Sequence, residues 1–463
     1  MVAAHIAKVR PDIMIVSNSL LKDIPGMAEH AFMVNPFGGE QARKENAPVM
    51  AAIQEHLANG GSIMIYPAGS VSHKQSLKDP VAVDDPWKMG IAKLLKNNPT
   101  AQAFPIFVNN EPSQALNIAK AIHPALGTPF IVREMMNNIG TEFFVNLGTP
   151  ITPKELAKLE SSKEVLDYLR ARTYLMSDEL LMSKLNKKKT EVSRKMEEVG
   201  PQIDPNLLRA ELAAKEVFFD IAPDKPDRGV KVDLVHGADV PNTMLELGRR
   251  REITFRGVGE GSGKAYDNDV YDSHYDHLIA WDKASNQMSG AYRLGRLDLI
   301  LKNQGTSGVY STTQFNYDGL LKTVIGPKGI ELGRSFVMPE FQRRSLTLPS
   351  LWGGIGKFLV THPRYQHAVG PASISDEFQP NTKLLIIEFL KRYYMHEMST
   401  MVTAKNPPKI QTLLSKDEID AILKVHDTTR SLDNLIKDIE GDPNAKMPPI
   451  IPMYLEMGGK ILA

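Results

Sequence analysis

Ile330-Glu331-Leu332-Gly333-Arg334-Ser335-Phe336-Val337 sets an acid and a base three residues apart inside a short apolar run. The spacing of its apolar positions reads as a β-strand. Period-two geometry then puts Glu331 and Gly333 on one face, with Leu332 and Arg334 on the other. On that reading the two charges belong to different walls of any pocket. Upstream, Asp269-Val270-Tyr271-Asp272 is a second acidic pair, followed by the apolar run Leu278-Ile279-Ala280-Trp281 and by Gly290-Ala291-Tyr292-Arg293-Leu294.

Carboxylates and arginines in this arrangement can hold an amino acid by its ammonium and its carboxylate, and a carboxylate so placed can take the ammonium proton. Asp269, Asp272 and Glu331 are the candidate catalytic residues, able to bind a cationic amino group and accept its proton. General-base help of this kind is worth about 10²–10⁴ in rate. Arg293 and Arg334 are candidate substrate-binding residues, because paired guanidinium hydrogen bonds grip a carboxylate in a way lysine cannot reproduce. Taken singly, each residue also fits a structural ion pair or a polar loop.

At 463 residues the chain exceeds one ordinary core, and two domains are expected. Hydrophobic content of 42% and charged content of 24% are those of a folded globular protein. A net charge of +1, with no aromatic-interleaved basic stripe, argues against nucleic-acid binding. No cysteine occurs, which removes disulfides, thiolate metal sites and a cysteine nucleophile. Histidine spacing offers no zinc motif, so no metal is expected. No apolar stretch approaches the ~20 residues that span a bilayer. The expectation is a cytoplasmic protein, peripheral on the inner membrane.

Strand-like and helix-like segments alternate in the first half, implying an α/β layer domain over residues 1–175. Thr152-Pro153-Lys154-Glu155 has the residues of a helix start: a threonine cap, proline at the first position and glutamate three residues on. Another helix is read over residues 48–58, closed by Asn59-Gly60-Gly61. Residues 176–227 read as a charged helix, carrying Lys187-Lys188-Lys189, and a proline-punctuated linker. A second α/β unit is expected over 228–400, and a helical extension over 401–463.

The ordered series Arg250 to Arg256, Asp269-x-x-Asp272, Tyr292-Arg293-Leu294, Glu331-x-x-Arg334, Leu351-Trp352-Gly353-Gly354-Ile355 and Gly370-Pro371-Ala372-Ser373-Ile374-Ser375 resembles the amino acid N-acyltransferases of the acetyltransferase-like (GNAT) superfamily. Ornithine-lipid and glycine-lipid enzymes are the nearest relatives implied, with acyl-homoserine lactone synthases as cousins. The resemblance covers roughly residues 240–400. It implies a mixed-sheet domain that transfers a 3-hydroxyacyl group to an amino acid α-amine, at a site lined by Asp269, Asp272, Arg293, Glu331 and Arg334. One departure bears on the donor. Coenzyme-A-dependent relatives cradle a pyrophosphate on a glycine-rich turn, whereas Gln342-Arg343-Arg344-Ser345-Leu346-Thr347 has no glycine. Arg343 and Arg344 suit the single phosphodiester of acyl carrier protein and its acidic surface; a plain surface pair is the other reading. Acyl carrier protein is therefore expected over coenzyme A, with no cofactor bound tightly.

Val34-Asn35-Pro36-Phe37-Gly38-Gly39 and Tyr66-Pro67-Ala68-Gly69-Ser70-Val71-Ser72-His73 resemble two blocks of the glycerolipid O-acyltransferases. That resemblance makes Tyr66, Pro67, Gly69 and Ser70 candidate contacts for a lipid or lyso-lipid acceptor. The His-x-x-x-x-Asp pair that does the family's chemistry is absent before residue 190, and both chain ends resemble internal family segments, so a fragment cut at each end is expected. The combined expectation is a two-domain aminolipid acyltransferase. Two other readings stand beside it: a lactone-signal synthase, and a non-catalytic membrane-binding or haemolysin-like protein.

Overall fold

Strands and helices alternate along the computed structural model, which describes all residues except 1, 24–25, 36–38, 77, 110–111, 123–132, 135, 137–139, 141–143, 178–195, 214 and 343–345. The chain divides into two compact units. One comprises Met1–Lys188, Gln379–Phe389 and Ile410–Met447; the other comprises Lys189–Phe378, Leu390–Lys409 and Pro448–Ala463.

In the first unit β1 (Met14–Asn18), β2 (Ala31–Val34) and β3 (Ile63–Met64) form a parallel sheet ordered β2-β1-β3. Strands β4 (Ile106–Asn109) and β5 (Phe144–Leu147) pair antiparallel. The Thr152 cap forms as its residues dictate: the threonine side chain accepts from the Glu155 N–H while the Glu155 carboxylate accepts from the Thr152 N–H. The helix expected over 48–58 begins earlier, at Glu40, and runs through Pro48 to Ala58. Residues 40–47 are mostly strong helix formers, and they carry the helix past a proline that would otherwise stop it. Most of the charged helix expected to open the 176–227 segment, with its lysine cluster, lies outside the described residues.

The second unit is built on a six-stranded mixed sheet: β6 (Phe219–Asp220), β7 (Val230–His236), β8 (Asp276–Asp282), β9 (Gln287–Arg296), β11 (Gly329–Val337) and β12 (His367–Val369). Its order is β12-β11-β9-β8-β7-β6, antiparallel throughout except for the parallel β11–β12 edge. A separate pair joins β10 (Phe315–Asn316) to β13 (Thr403–Ala404). The run Leu278-Ile279-Ala280-Trp281 is continuous because β8 is buried on both faces. On one face Leu278 and Ala280 pack with Tyr292, Leu294, Ile330 and Leu332 beneath Leu351, Ile355 and Phe358 of helix Thr347–Thr361. On the other, Ile279, Trp281, Ala291 and Phe336 pack under Met244 and Leu247 of helix Pro241–Arg256. A β-carbon at Gly353 would overlap the Phe219 ring and one at Gly354 would touch Leu278 and Val232, so the glycine pair permits close helix–sheet approach. Among the described residues no helix is long and apolar enough to cross a membrane.

Candidate active site

Three arginines and three aspartates interlock where β9 and β11 pass the 267–272 loop. Arg293, on β9 and 2% exposed, donates from Nη1 to Asp269 Oδ1 at 2.7 Å and to Asp272 Oδ1 at 3.0 Å. Arg251, from helix Pro241–Arg256, reaches the Asp272 carboxylate at 3.3 Å and the Asp267 carbonyl at 3.1 Å. Arg334 donates from Nη1 to Asp267 Oδ2 at 3.0 Å and from Nη2 to Asp269 Oδ2 at 3.5 Å. The loop holds itself: Asp269 N–H donates to Asp272 Oδ2 at 2.9 Å, and Tyr271 N–H donates to Asp269 Oδ1 at 2.9 Å. Short acidic side chains favour such local bonds.

Burial pushes the Asp272 carboxyl upward, but the Arg251 and Arg293 guanidiniums outweigh it and hold it at about 2. Burial wins at Asp267, whose carboxyl stays above its ordinary value despite Arg251 and Arg334. Not every donor in the cluster is matched. Arg293 Nη2, Arg334 Nε and Arg251 Nε are buried without a hydrogen-bond partner among the described residues.

The strand pattern of 330–337 is interrupted by a bulge. Pairing with β9 steps from Gly333↔Arg293 to Phe336↔Ala291, so Arg334 and Ser335 together oppose Tyr292. Arg334 takes φ 50°, a left-handed conformation uncommon outside glycine. Strict alternation, which set Arg334 on the face opposite Glu331, therefore fails at this residue: the bulge turns its side chain onto Asp267 and Asp269. On its other edge β11 pairs with β12 only over Gly329–Glu331. Among the described residues a β-carbon at Gly333 would meet nothing within 4 Å, so open space adjoins the bulge.

Glu331, also 2% exposed, is held by a different set. Its carboxylate accepts from Ser311 N–H at 2.8 Å, Tyr310 N–H at 3.1 Å and the hydroxyls of Tyr275 and Ser311. Tyr310 joins the two groups, its ring centroid lying 4.7 Å from the Arg293 guanidinium carbon and 5.4 Å from that of Arg334. The structure thus gathers Asp269, Asp272, Arg293, Arg334 and Glu331 around one tyrosine. Arg251, Asp267, Tyr275, Tyr310 and Ser311 were not foreseen as part of it. Arg251 lay within the quoted arginine segment, and Asp267 two residues before the acidic pair. The Tyr310-Ser311-Thr312-Thr313 run carried no spacing that pointed here.

Tyr66, Pro67, Gly69 and Ser70 belong to the other unit and form a turn of their own. Gly69 N–H donates to Tyr66 O at 3.0 Å with Gly69 at φ 68°, and the Ser70 hydroxyl donates to Asp85. All four line an apolar cavity of about 1890 Å³. Arg343 and Arg344 lie outside the described residues.

His277, fully buried on β8, donates from Nε2 to the Asp272 carbonyl at 3.0 Å and leaves Nδ1 without a partner among the described residues. Burial lowers its imidazole from 6.5 to about 4, against the pull of Asp272. Between those values the unfolded chain takes a proton that the folded one refuses. Stability is therefore lost as pH falls from 6.5 to about 4, by roughly 3 kcal/mol at ~1.4 kcal/mol per unit. Urea unfolding at pH 7 and pH 4.5 checks this: His277→Gln, which keeps a donor for the carbonyl but does not titrate, is expected to lose less stability than the unaltered chain.

The family described as "Acetyltransferase (GNAT) domain" matches residues 250–352, and that described as "Acyltransferase" matches residues 1–182. The chain is 30% identical over 228 residues to a Phocaeicola vulgatus protein named glycine N(alpha)-acyltransferase, covering 47% of this chain and 68% of that one. A Bacteroides thetaiotaomicron protein of the same name is 28% identical over 273 residues, 57% of this chain and 78% of its own. An Agrobacterium fabrum protein named L-ornithine N(alpha)-acyltransferase is 35% identical over 144 residues, 30% of this chain and 47% of its own. No solved structure matches significantly.

Proposed function

The chain belongs to the amino acid N(alpha)-acyltransferase family of these relatives, and on that premise we propose that its second unit transfers a 3-hydroxyacyl group from acyl carrier protein to the α-amine of glycine or ornithine. One ammonium proton passes first to a carboxylate or to water; the freed lone pair attacks the thioester carbonyl, the C–S bond breaks, and the departing carrier thiolate takes up the second proton that the nitrogen sheds. The observation that carries this reading is the two-for-one bulge at Arg334–Ser335 beside open space at Gly333. A bulge takes main-chain N–H groups out of the ladder, and such groups aimed at a carbonyl stabilise its oxyanion.

Arg293 and Arg334, each with an unmatched guanidinium N–H, hold the acceptor carboxylate, since a buried donor without a partner favours a ligand that supplies one. Asp269 faces the ammonium and takes its proton, while Asp272 and Glu331 keep the arginines and the neighbouring turn in place. Arg343 and Arg344 would meet the carrier phosphodiester. In the first unit the turn at Tyr66, Pro67, Gly69 and Ser70 would take a lipid or lyso-lipid acceptor, so that O-acylation of the hydroxyl completes an aminolipid at the inner membrane surface.

The test is incubation of the purified chain with 3-hydroxyacyl carrier protein and an amino acid mixture, followed by mass spectrometry. An N-acyl-glycine or N-acyl-ornithine peak is expected; absence of any N-acyl product with both carrier-protein and coenzyme A donors would reject the reading. Gly333→Leu adds a further check. Its side chain enters the open space, so thermal unfolding should move little while product formation falls at least tenfold.

A further inference from the structure

Glu331 stands where an acid was expected to take the ammonium proton, yet its carboxylate is already filled. One oxygen accepts from Ser311 N–H at 2.8 Å and from the Ser311 hydroxyl; the other accepts from Tyr310 N–H at 3.1 Å and from the Tyr275 phenol. The Ser311 hydroxyl lies 2.5 Å from the Tyr317 hydroxyl. Each hydroxyl has one proton, and a consistent direction runs from Tyr317 to Ser311 to Glu331, with Tyr275 donating separately. An acceptor-only terminus of this kind is the ionised carboxylate. A general base must reach the proton it takes, directly or through one water, and four donors around a buried carboxylate leave an incoming ammonium no such approach.

We propose that Glu331 is a positioning residue: it pins the 309–313 turn so that Tyr310 forms the aromatic wall of the amino acid site. Two consecutive main-chain N–H groups held at one carboxylate, that of Tyr310 shared with the Tyr275 hydroxyl at 3.0 Å, fix the turn much as a side-chain cap fixes a helix end. The ring so placed lies against both guanidiniums, and Tyr271 meets it edge-on with centroids 5.5 Å apart. A cation over an aromatic face is held in place as well as attracted, so the ring sets the orientation of the two arginines that grip the acceptor. Proton acceptance then falls to Asp269, the more exposed carboxylate, whose Oδ2 is 3.5 Å from Arg334. The inference rests on the N-acyl-transfer reading for the identity of the acceptor, but the pin itself does not.

Hydrogen exchange, read by mass spectrometry without substrate, tests the pin first. Glu331→Gln keeps one carbonyl oxygen but presents an amide N–H₂ to the remaining donors. Amides of residues 309–313 are expected to exchange at least tenfold faster while those of β8 and β9 stay protected. Kinetics with glycine as acceptor follow. Glu331→Gln and Tyr310→Ala should each raise the glycine KM at least tenfold, keep the shape of the kcat pH profile, and be no worse combined than singly. Tyr310→Ala retains the main-chain bonds to Glu331 and so serves if the glutamate variant folds poorly. A hundredfold loss of kcat in Glu331→Gln with unchanged KM and unchanged 309–313 protection would overturn the proposal, as would wild-type kinetics in Tyr310→Ala. If the unaltered chain acylates no amine, the N-acyl-transfer reading fails by itself, and the exchange measurement still decides the pin.

Discussion

Arg293→Met is expected to lower the stability of the second unit by about 3–5 kcal/mol, the usual consequence of removing one partner from a buried ion pair, and to abolish N-acyl product. Arg293 is 2% exposed and serves Asp269 and Asp272 from a single nitrogen. Methionine fills a similar length without a charge, so two carboxylates lose a cation, and at Asp272 burial already opposes ionisation. Asp272 keeps Arg251, but its carboxyl, now at about 2, should rise. The stability that its depressed value contributes, present above pH 4 and lost as pH falls toward 2, should shrink accordingly. Thermal unfolding should show a fall of roughly 6–20 °C in the transition of this unit. Arg334→Met is the comparison. That side chain is 23% exposed, and partly solvated pairs contribute far less, so about 1–2 kcal/mol is expected. Acceptor binding should suffer in both variants. Equal stability losses in the two would mean that the six charges do not act as one network organised on Arg293.

What was legible in the sequence, and what was not, follows from how local each feature is. The cap at Thr152–Glu155 needs only four consecutive residues, and it formed as read. The buried strand at 278–281 was visible because a sheet covered on both faces demands an unbroken apolar run. Arg334 shows the opposite case. Nothing in its own identity signals φ 50°, since a non-glycine residue adopts it only when the surroundings hold it. Here the hold comes from Asp267 and Asp269, sixty-odd residues away in sequence. Glu331 was found as an acid on a strand, but its four donors sit on β8's approach and on the 310–311 turn, which no periodicity connects to it. The residues that carry charge were therefore readable from an ordered motif, while the aromatic and hydroxyl residues that place them required the fold.

Gly237→Ala should be as damaging as the loss of a charged partner, although it adds only a methyl group. A β-carbon at Gly237 would collide with the main-chain carbonyl oxygen of Asp272 and come within 3.3 Å of His277 Nε2. The obstacle is backbone rather than the free end of a side chain, and that carbonyl is itself fixed by the His277 N–H. Gly237 is tied down as well, its N–H donating to Tyr275 O at 3.0 Å. With neither strand end free to retreat, the methyl has to displace Asp272, and with it the shared contacts to Arg251 and Arg293. Overpacking of a tight interior costs about 1–3 kcal/mol and occasionally more; the rigid neighbours here place Gly237→Ala at or above the upper end. Loss of N-acyl product should accompany the destabilisation, because the displaced carboxylate is the one that orients Arg293. Gly333→Ala provides the internal control: its methyl meets nothing within 4 Å among the described residues, so urea unfolding should change by less than about 0.5–1 kcal/mol, the range of an ordinary glycine-to-alanine exchange. If Gly237→Ala unfolds at the same urea concentration as Gly333→Ala, the loop carrying Asp272 is free to yield, and the rigidity assigned to the carboxylate–arginine cluster does not extend to its backbone.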